Sequence, residues 1–310
     1  MDTITNDKIL FHLDRHYGNK EPVTAEIFLT NFCNNKCGYC RFNHSTGEYM
    51  SADLFKRILE RLIGMGVQGI LLTGGGEPTV NPDFDEIIEI LHENDMPYGI
   101  NTNFNLYKDI RPEFLKVSLD AVNAQQYKDV RGVNAYERVL RNIERFAEKK
   151  QKEGLKTVLG IQAVCIDAEH GVEFYNQHKD LPVDYIQVRP LEAVLGGSYK
   201  EDVSETIKKF EEIKKQDDRL LINHKWYDLA TGFKRCYANW SVITVSWDGT
   251  VMYCCHRPDD VVGNIFDEDI QLKKQCYKAD MRKCDIPCRL TGANKILERI
   301  EKGIQHEQFI

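Results

Sequence analysis

The chain has 310 residues, 42% of them hydrophobic and 29% charged, enough apolar mass for a large core, which excludes disordered and fibrous classes. Lys and Arg number 41 against 48 Asp and Glu, a net charge of −7, so a general grip on nucleic acid is disfavoured. No apolar run reaches the roughly 18 residues of a spanning helix, and Met1–Lys8 lacks the apolar core of a signal peptide. A cytoplasmic protein away from the membrane is expected.

Along the chain, short apolar runs alternate with amphipathic stretches. Thr24–Thr30 predicts a strand. Ser51–Met65 predicts a helix with Ser51 as N-cap and Leu54, Ile58 and Leu62 on one face. Strand Gln68–Thr73, helix Phe84–Glu93 and strands Tyr98–Thr102 and Phe114–Leu119 follow. One long helix is expected over Ala124–Lys150, then strand Thr157–Cys165, helix Val172–His178, strand Asp184–Val188 and helix Ser204–Lys215. About six strand–helix units imply a parallel sheet with right-handed crossovers, short of the eight of a closed barrel. After Asp217 the rhythm changes. Val242–Trp247 and Thr250–Cys254 flank an Asp248-Gly249 turn, a hairpin signal. Helices are expected at Glu268–Lys278 and Ala293–Lys302.

Ten cysteines in a chain of this kind point to metal rather than to a disulfide framework. Cys165 stands alone on a strand and reads as a small buried hydrophobe. Cys33, Cys37 and Cys40 form C-x3-C-x2-C directly after the first strand. Three thiolates suit a zinc site completed by His44, or an iron–sulfur cube with one iron open. Gly74-Gly75-Gly76-Glu77-Pro78 ends the second strand.

The cysteine spacing, Tyr39 before the third cysteine and the Gly-Gly-Glu-Pro turn together resemble the radical S-adenosylmethionine (SAM) superfamily. The resemblance covers about residues 20–218. It implies an α/β fold, a partial (β/α)6 TIM-like barrel, with SAM and a [4Fe-4S] cluster at the strands' C-terminal mouth. Cys33, Cys37 and Cys40 would hold the cluster. Tyr39, Gly74, Gly75, Gly76, Glu77 and Pro78 would line the SAM site. Asn101, Asn103, Ser118 and Asp120, at strand ends, and Arg131, with its bidentate fork, are further candidates. Gly160-Ile161 resembles the adenine-packing segment.

Cys236, Gly249 and Cys254 match C-x12-G-x4-C, which resembles the opening of the SPASM extension. With Cys276, Cys284 and Cys288 but no later cysteine, the pattern is closer to the shortened twitch version with one auxiliary iron–sulfur cluster, expected to be [4Fe-4S]. Its ligands would be Cys236, Cys254, Cys284 and Cys288, with Cys255 or Cys276 as substitutes; a four-cysteine zinc site is the alternative. The expected division is a 1–22 extension, a 23–218 core and a 219–310 twitch/SPASM-like α+β domain.

The resemblance implies reductive cleavage of SAM to a 5′-deoxyadenosyl radical that takes hydrogen from an unactivated C–H, giving oxidation or epimerisation. The substrate would be a sugar or aminocyclitol, or a short peptide residue, and the electron donor a flavodoxin or ferredoxin. Cys255 and Cys276 are candidate hydrogen-atom donors. The alternatives are a relative of the molybdopterin-type GTP cyclase, whose second-cluster C-x2-C pair is absent here, and a zinc-stabilised binding module without enzymatic activity.

Overall fold

In a computed structural model of the protein, the structure describes residues 8–40, 42, 47–165, 168–191, 204–223, 233–284 and 288–303. Among the described residues ten strands make one sheet: β1 Thr24–Phe28, β2 Gly69–Thr73, β3 Tyr98–Thr102, β4 Phe114–Ser118, β5 Val158–Cys165, β6 Tyr185–Pro190, β7 Leu220–Ile222, β8 Val242–Val245, β9 Thr250–Cys254 and β10 Arg257–Asn264. Their order is β10-β9-β8-β1-β2-β3-β4-β5-β6-β7. Strands β1 to β7 pair in parallel, as expected of a partial barrel.

The helices are α1 Leu13–Tyr17, α2 Ala52–Gly64, α3 Phe84–Glu93, α4 Ala124–Arg131, α5 Tyr136–Glu153, α6 Ala168–His178, α7 Ser204–Gln216, α8 Ile270–Cys276 and α9 Thr291–Lys302. Ser51 caps α2 as predicted, its side chain accepting the Leu54 N–H. Ile27, Leu72, Ile100, Val117 and Ile161 share one core with Phe55, Ile58, Ile87, Leu91, Ile143 and Phe146 of the helices. Strand alternation turns Glu26, Asn101, Ser118 and Gln162 to the other, inner face.

Four features depart from the sequence reading. The long helix is two, α4 and α5, because Gly132 closes α4 in the left-handed conformation with φ 70°. A Cβ there would lie 2.7 Å from the Lys36 carbonyl oxygen, and the Lys36 N–H donates to the Arg131 carbonyl. The break is the seat of the cysteine loop. Strand β7 is a seventh parallel strand. The Val242–Cys254 hairpin continues the main sheet across residue 218, with β8 parallel to β1 in register Thr24↔Val242, and β10 adds an unforeseen edge strand.

Gly99 and Gly160 lie under the rings of Phe114 and Tyr185, where a Cβ would sit about 2.1 Å from ring carbon. These two rings, at the N-terminal ends of β4 and β6, cover the inner face at the two glycines, so Gly160 is not an open adenine-packing surface, and Ile161 is in the helix-side core. Among the described residues no helix is long and apolar enough to cross a membrane.

Candidate active site

The cysteine loop leaves the C-terminal end of β1 and is held by its neighbours. Asn103 Nδ2 donates to Asn34 Oδ1 at 2.6 Å, and Asn105 Nδ2 donates to Asn35 Oδ1 at 2.5 Å. Asn103 Nδ2 also lies 3.8 Å from Cys33 Sγ. Glu77, 3% exposed, ties the end of β3 to the end of β2. Its Oε1 accepts the hydroxyls of Thr79 (2.7 Å) and Thr102 (2.5 Å), and its Oε2 accepts the Asn103 N–H at 2.7 Å. Burial raises the Glu77 pKa while these donors hold it down. Gly76 touches the loop itself: a Cβ would lie 1.9 Å from the Phe32 carbonyl oxygen, and only glycine fits.

Behind the thiols is a buried polar knot. Asp120, in the left-handed conformation with φ 58°, accepts the Val164 N–H at 2.7 Å. It also takes the Tyr39 hydroxyl in a short hydrogen bond. Its Oδ2 pairs with Arg131 Nη2 at 2.6 Å, and Arg131 Nη1 lies 3.4 Å from Cys37 Sγ. Burial pushes the Tyr39 phenol well above its usual pKa, so it stays a donor. Burial also pushes the Cys33 thiol up to about 12, with Glu77 and the neighbouring cysteines adding to the shift, and raises Cys40. Such thiols ionise only against a strong positive charge, as a bound metal cluster provides.

At the other end of β1, Cys236, Cys254, Cys284 and Cys288 line one cavity with Glu26 and Arg289. Burial and then the charges of Cys288, Cys254 and Cys284 push Cys236 up to about 12. Cys254 rises to about 11, by burial and then by Cys288 and Cys284. Cys255 lines the same cavity but is engaged elsewhere: burial, and then Glu26, drive its pKa well up, and it hydrogen-bonds that carboxylate. Glu26 in turn pairs with Arg289 at 2.7 Å. Cys276 is exposed at the end of α8 and lies outside this cavity. Among the described residues, no three His, Cys, Asp or Glu side chains gather as at a single bound metal ion; the four thiols surround a space instead.

A superfamily profile described as "Radical SAM superfamily" matches residues 27–164, from β1 to the end of β5. This chain carries a radical SAM domain. Its curated relatives include GTP 3′,8-cyclase of Pasteurella multocida, 27% identical over 206 residues and 59% of each chain, so the matched region is under two thirds of that relative. A probable GTP 3′,8-cyclase of Saccharolobus solfataricus is 26% identical over 83% of this chain and 89% of its own. Among solved structures, Streptococcus suis SuiB bound to S-adenosylmethionine superposes with TM-score 0.61, at 20% identity, over 81% of this chain and 64% of that one. AnSMEcpe with bound AdoMet superposes with TM-score 0.60, at 17% identity, over 86% and 83%. Both likenesses are likenesses of fold.

Within the radical SAM domain, the sequence-predicted residues divide by position. Gly74 to Pro78, Asn101, Asn103 and Ser118 all lie at the C-terminal ends of β2, β3 and β4, beside the cysteine loop. Asn101 Nδ2 donates to Thr73 Oγ1 at 3.1 Å, while its Oδ1 is buried without a partner. Three thiols and this orphaned acceptor fit a cluster and an amino-bearing ligand such as SAM. Glu77, Asn103, Asp120, Tyr39 and Arg131 are instead largely engaged with protein groups, as braces of the loop. Sequence reasoning missed Asn105, Thr102 and Thr79, which carry no motif of their own. His44 falls outside the described residues.

Proposed function

We propose that this protein binds SAM and a [4Fe-4S] cluster at Cys33, Cys37 and Cys40 and one auxiliary iron–sulfur cluster at Cys236, Cys254, Cys284 and Cys288. It then oxidises or epimerises a C–H centre of a small polar substrate or short peptide. When bound, the open-iron cluster supplies the electron, delivered by a flavodoxin- or ferredoxin-type donor, that cleaves SAM to methionine and a 5′-deoxyadenosyl radical.

The chain's own residues orient and exclude. The Glu77, Thr102 and Asn103 hydrogen bonds fix the ends of β2 and β3 against the cysteine loop. Asn101 offers its orphaned carbonyl oxygen to a ligand donor. The Arg131–Asp120 pair closes the rear of the loop to water, and polar inner-face side chains such as Gln162 and Ser118 suit a polar substrate better than a hydrocarbon.

One observation carries this reading: five of the six C-terminal cysteines line one cavity, Cys255 is taken up by its hydrogen bond to Glu26, and the four left, Cys236, Cys254, Cys284 and Cys288, interact electrostatically, as four ligands of an auxiliary cluster would. Cyclisation of GTP is the second reading, favoured by the names of the sequence relatives. Against it stands the absence of a C-x2-C pair in the C-terminal third.

Anaerobic reconstitution followed by reduction with SAM should yield 5′-deoxyadenosine and about eight iron per chain. Replacing Cys33, Cys37 and Cys40 together should leave about four iron and no 5′-deoxyadenosine. Cleavage of SAM by that variant refutes the assignment. Turnover with GTP in place of other substrates, read by mass spectrometry for a cyclised purine product, decides between the two readings.

A further inference from the structure

A second cavity, of about 600 Å³, lies at the opposite end of the sheet from the cysteine loop. Pro22, just before β1, Met65, just after α2, and Ile243, near the start of β8, set its position. It shares Cys236, Asn239, Tyr253 and Met281 with the four-thiol cavity. Its size is that of a small-molecule site.

Its walls are unusual for a chain of net charge −7. Lys20, Lys234, Arg235, Lys274 and Lys278 line it, and among the described residues no aspartate or glutamate does. Lys274 is committed inward, donating to the Asn239 and Tyr253 carbonyl oxygens at 2.9 and 3.2 Å. Lys234, Arg235 and Lys278 are exposed around it.

The other wall is aromatic. Tyr237, Trp240, Tyr253 and Tyr277 line the cavity, with Tyr253 and Tyr277 rings 5.3 Å apart at 31° and the Arg235 guanidinium 5.5 Å over the Tyr237 ring. Trp240 is 6% exposed, and its indole N–H is buried without a hydrogen-bond partner. A buried donor left unsatisfied is costly, so it marks a place for an acceptor.

We infer that this cavity is a binding site for a nucleotide-class ligand, a planar heteroaromatic ring bearing phosphate. The ring would stack among Tyr237, Tyr253 and Tyr277, Trp240 would donate to a ring or ester oxygen, and Lys234, Arg235 and Lys278 would take the phosphate. The site is separate from the SAM mouth, and it does not depend on the radical chemistry.

Equilibrium dialysis of the full chain against flavin mononucleotide, with riboflavin as the ring lacking phosphate, tests it. Saturable binding of one flavin mononucleotide per chain is expected, with riboflavin at least about tenfold weaker. Replacing Lys234, Arg235 and Lys278 with Ala, all three exposed and so compatible with folding, should weaken the nucleotide by about tenfold or more. Trp240→Phe keeps the packing and should weaken it several-fold. A Cys33→Ala chain should bind as the parent does, which separates this site from the SAM site. No saturable binding, equal binding of riboflavin, or an unchanged triple variant overturns the proposal.

Discussion

Arg131 Nη2 lies 2.6 Å from Asp120 Oδ2, both side chains buried, and the same guanidinium reaches Cys37 Sγ at 3.4 Å. Helix α4 thereby delivers a cation to the back of the cysteine loop through a carboxylate on the far end of β4. Removing one partner of a buried pair strands the other charge, at about 3–5 kcal/mol. Asp120→Asn keeps the shape and a residue tolerant of positive φ, so the loss would be electrostatic. Urea unfolding midpoints should drop accordingly; a loss below about 1 kcal/mol would reduce the pair to a surface-like contact.

Gly76→Ala and Gly74→Ala form a matched pair. The first places a Cβ 1.9 Å from the Phe32 carbonyl oxygen, whereas the second meets nothing nearer than 3.8 Å. Gly76→Ala should displace the cysteine loop and lose about four iron per chain after reconstitution, and Gly74→Ala should keep them. Equal iron content in the two variants would remove the steric argument.

The six C-terminal cysteines should separate by iron content. Cys236→Ala or Cys254→Ala should disrupt the auxiliary site and lower bound iron. Cys276→Ala should keep it, since this thiol is exposed at the end of α8, and Cys255→Ala should keep it because its thiol bonds to Glu26. Product analysis of the last two variants also tests them as hydrogen-atom donors. A donor variant would still yield 5′-deoxyadenosine but no inverted product, and normal turnover by both would favour oxidation.

Stability should fall on acidification through His178. Burial lowers its pKa from 6.5 to about 4. Its Nε2 lies 2.9 Å from the Tyr136 hydroxyl and its Nδ1 2.8 Å from the Phe174 carbonyl oxygen. The unfolded chain takes up the proton first, so this contribution is complete above about pH 6.5 and is lost as the pH falls towards 4. It amounts to about 3 kcal/mol at most. Urea unfolding at pH 7.5 and pH 5 should show a smaller difference for His178→Gln than for the parent. An identical pH dependence would assign the acid sensitivity elsewhere.

Much was legible from the chain alone because its signals are local. A strand such as Tyr98–Thr102 and the Ser51 cap depend on residues within one turn or one pleat. The C-x3-C-x2-C spacing and the Gly74–Pro78 turn likewise need no distant partner to be recognised. What only the tertiary structure decided depends on residues far apart in sequence. Gly132 breaks the helix because Lys36 packs on it. Glu77 braces β3 instead of standing open, because Thr102 and Asn103 reach it across 25 and 26 positions. The separation of Cys255 from the four clustered thiols turns on Glu26, more than two hundred residues earlier and brought alongside by the parallel β1–β8 pairing. Spacing along a chain records which donors are available; which neighbour satisfies each buried polar group is settled only when the sheet closes around it.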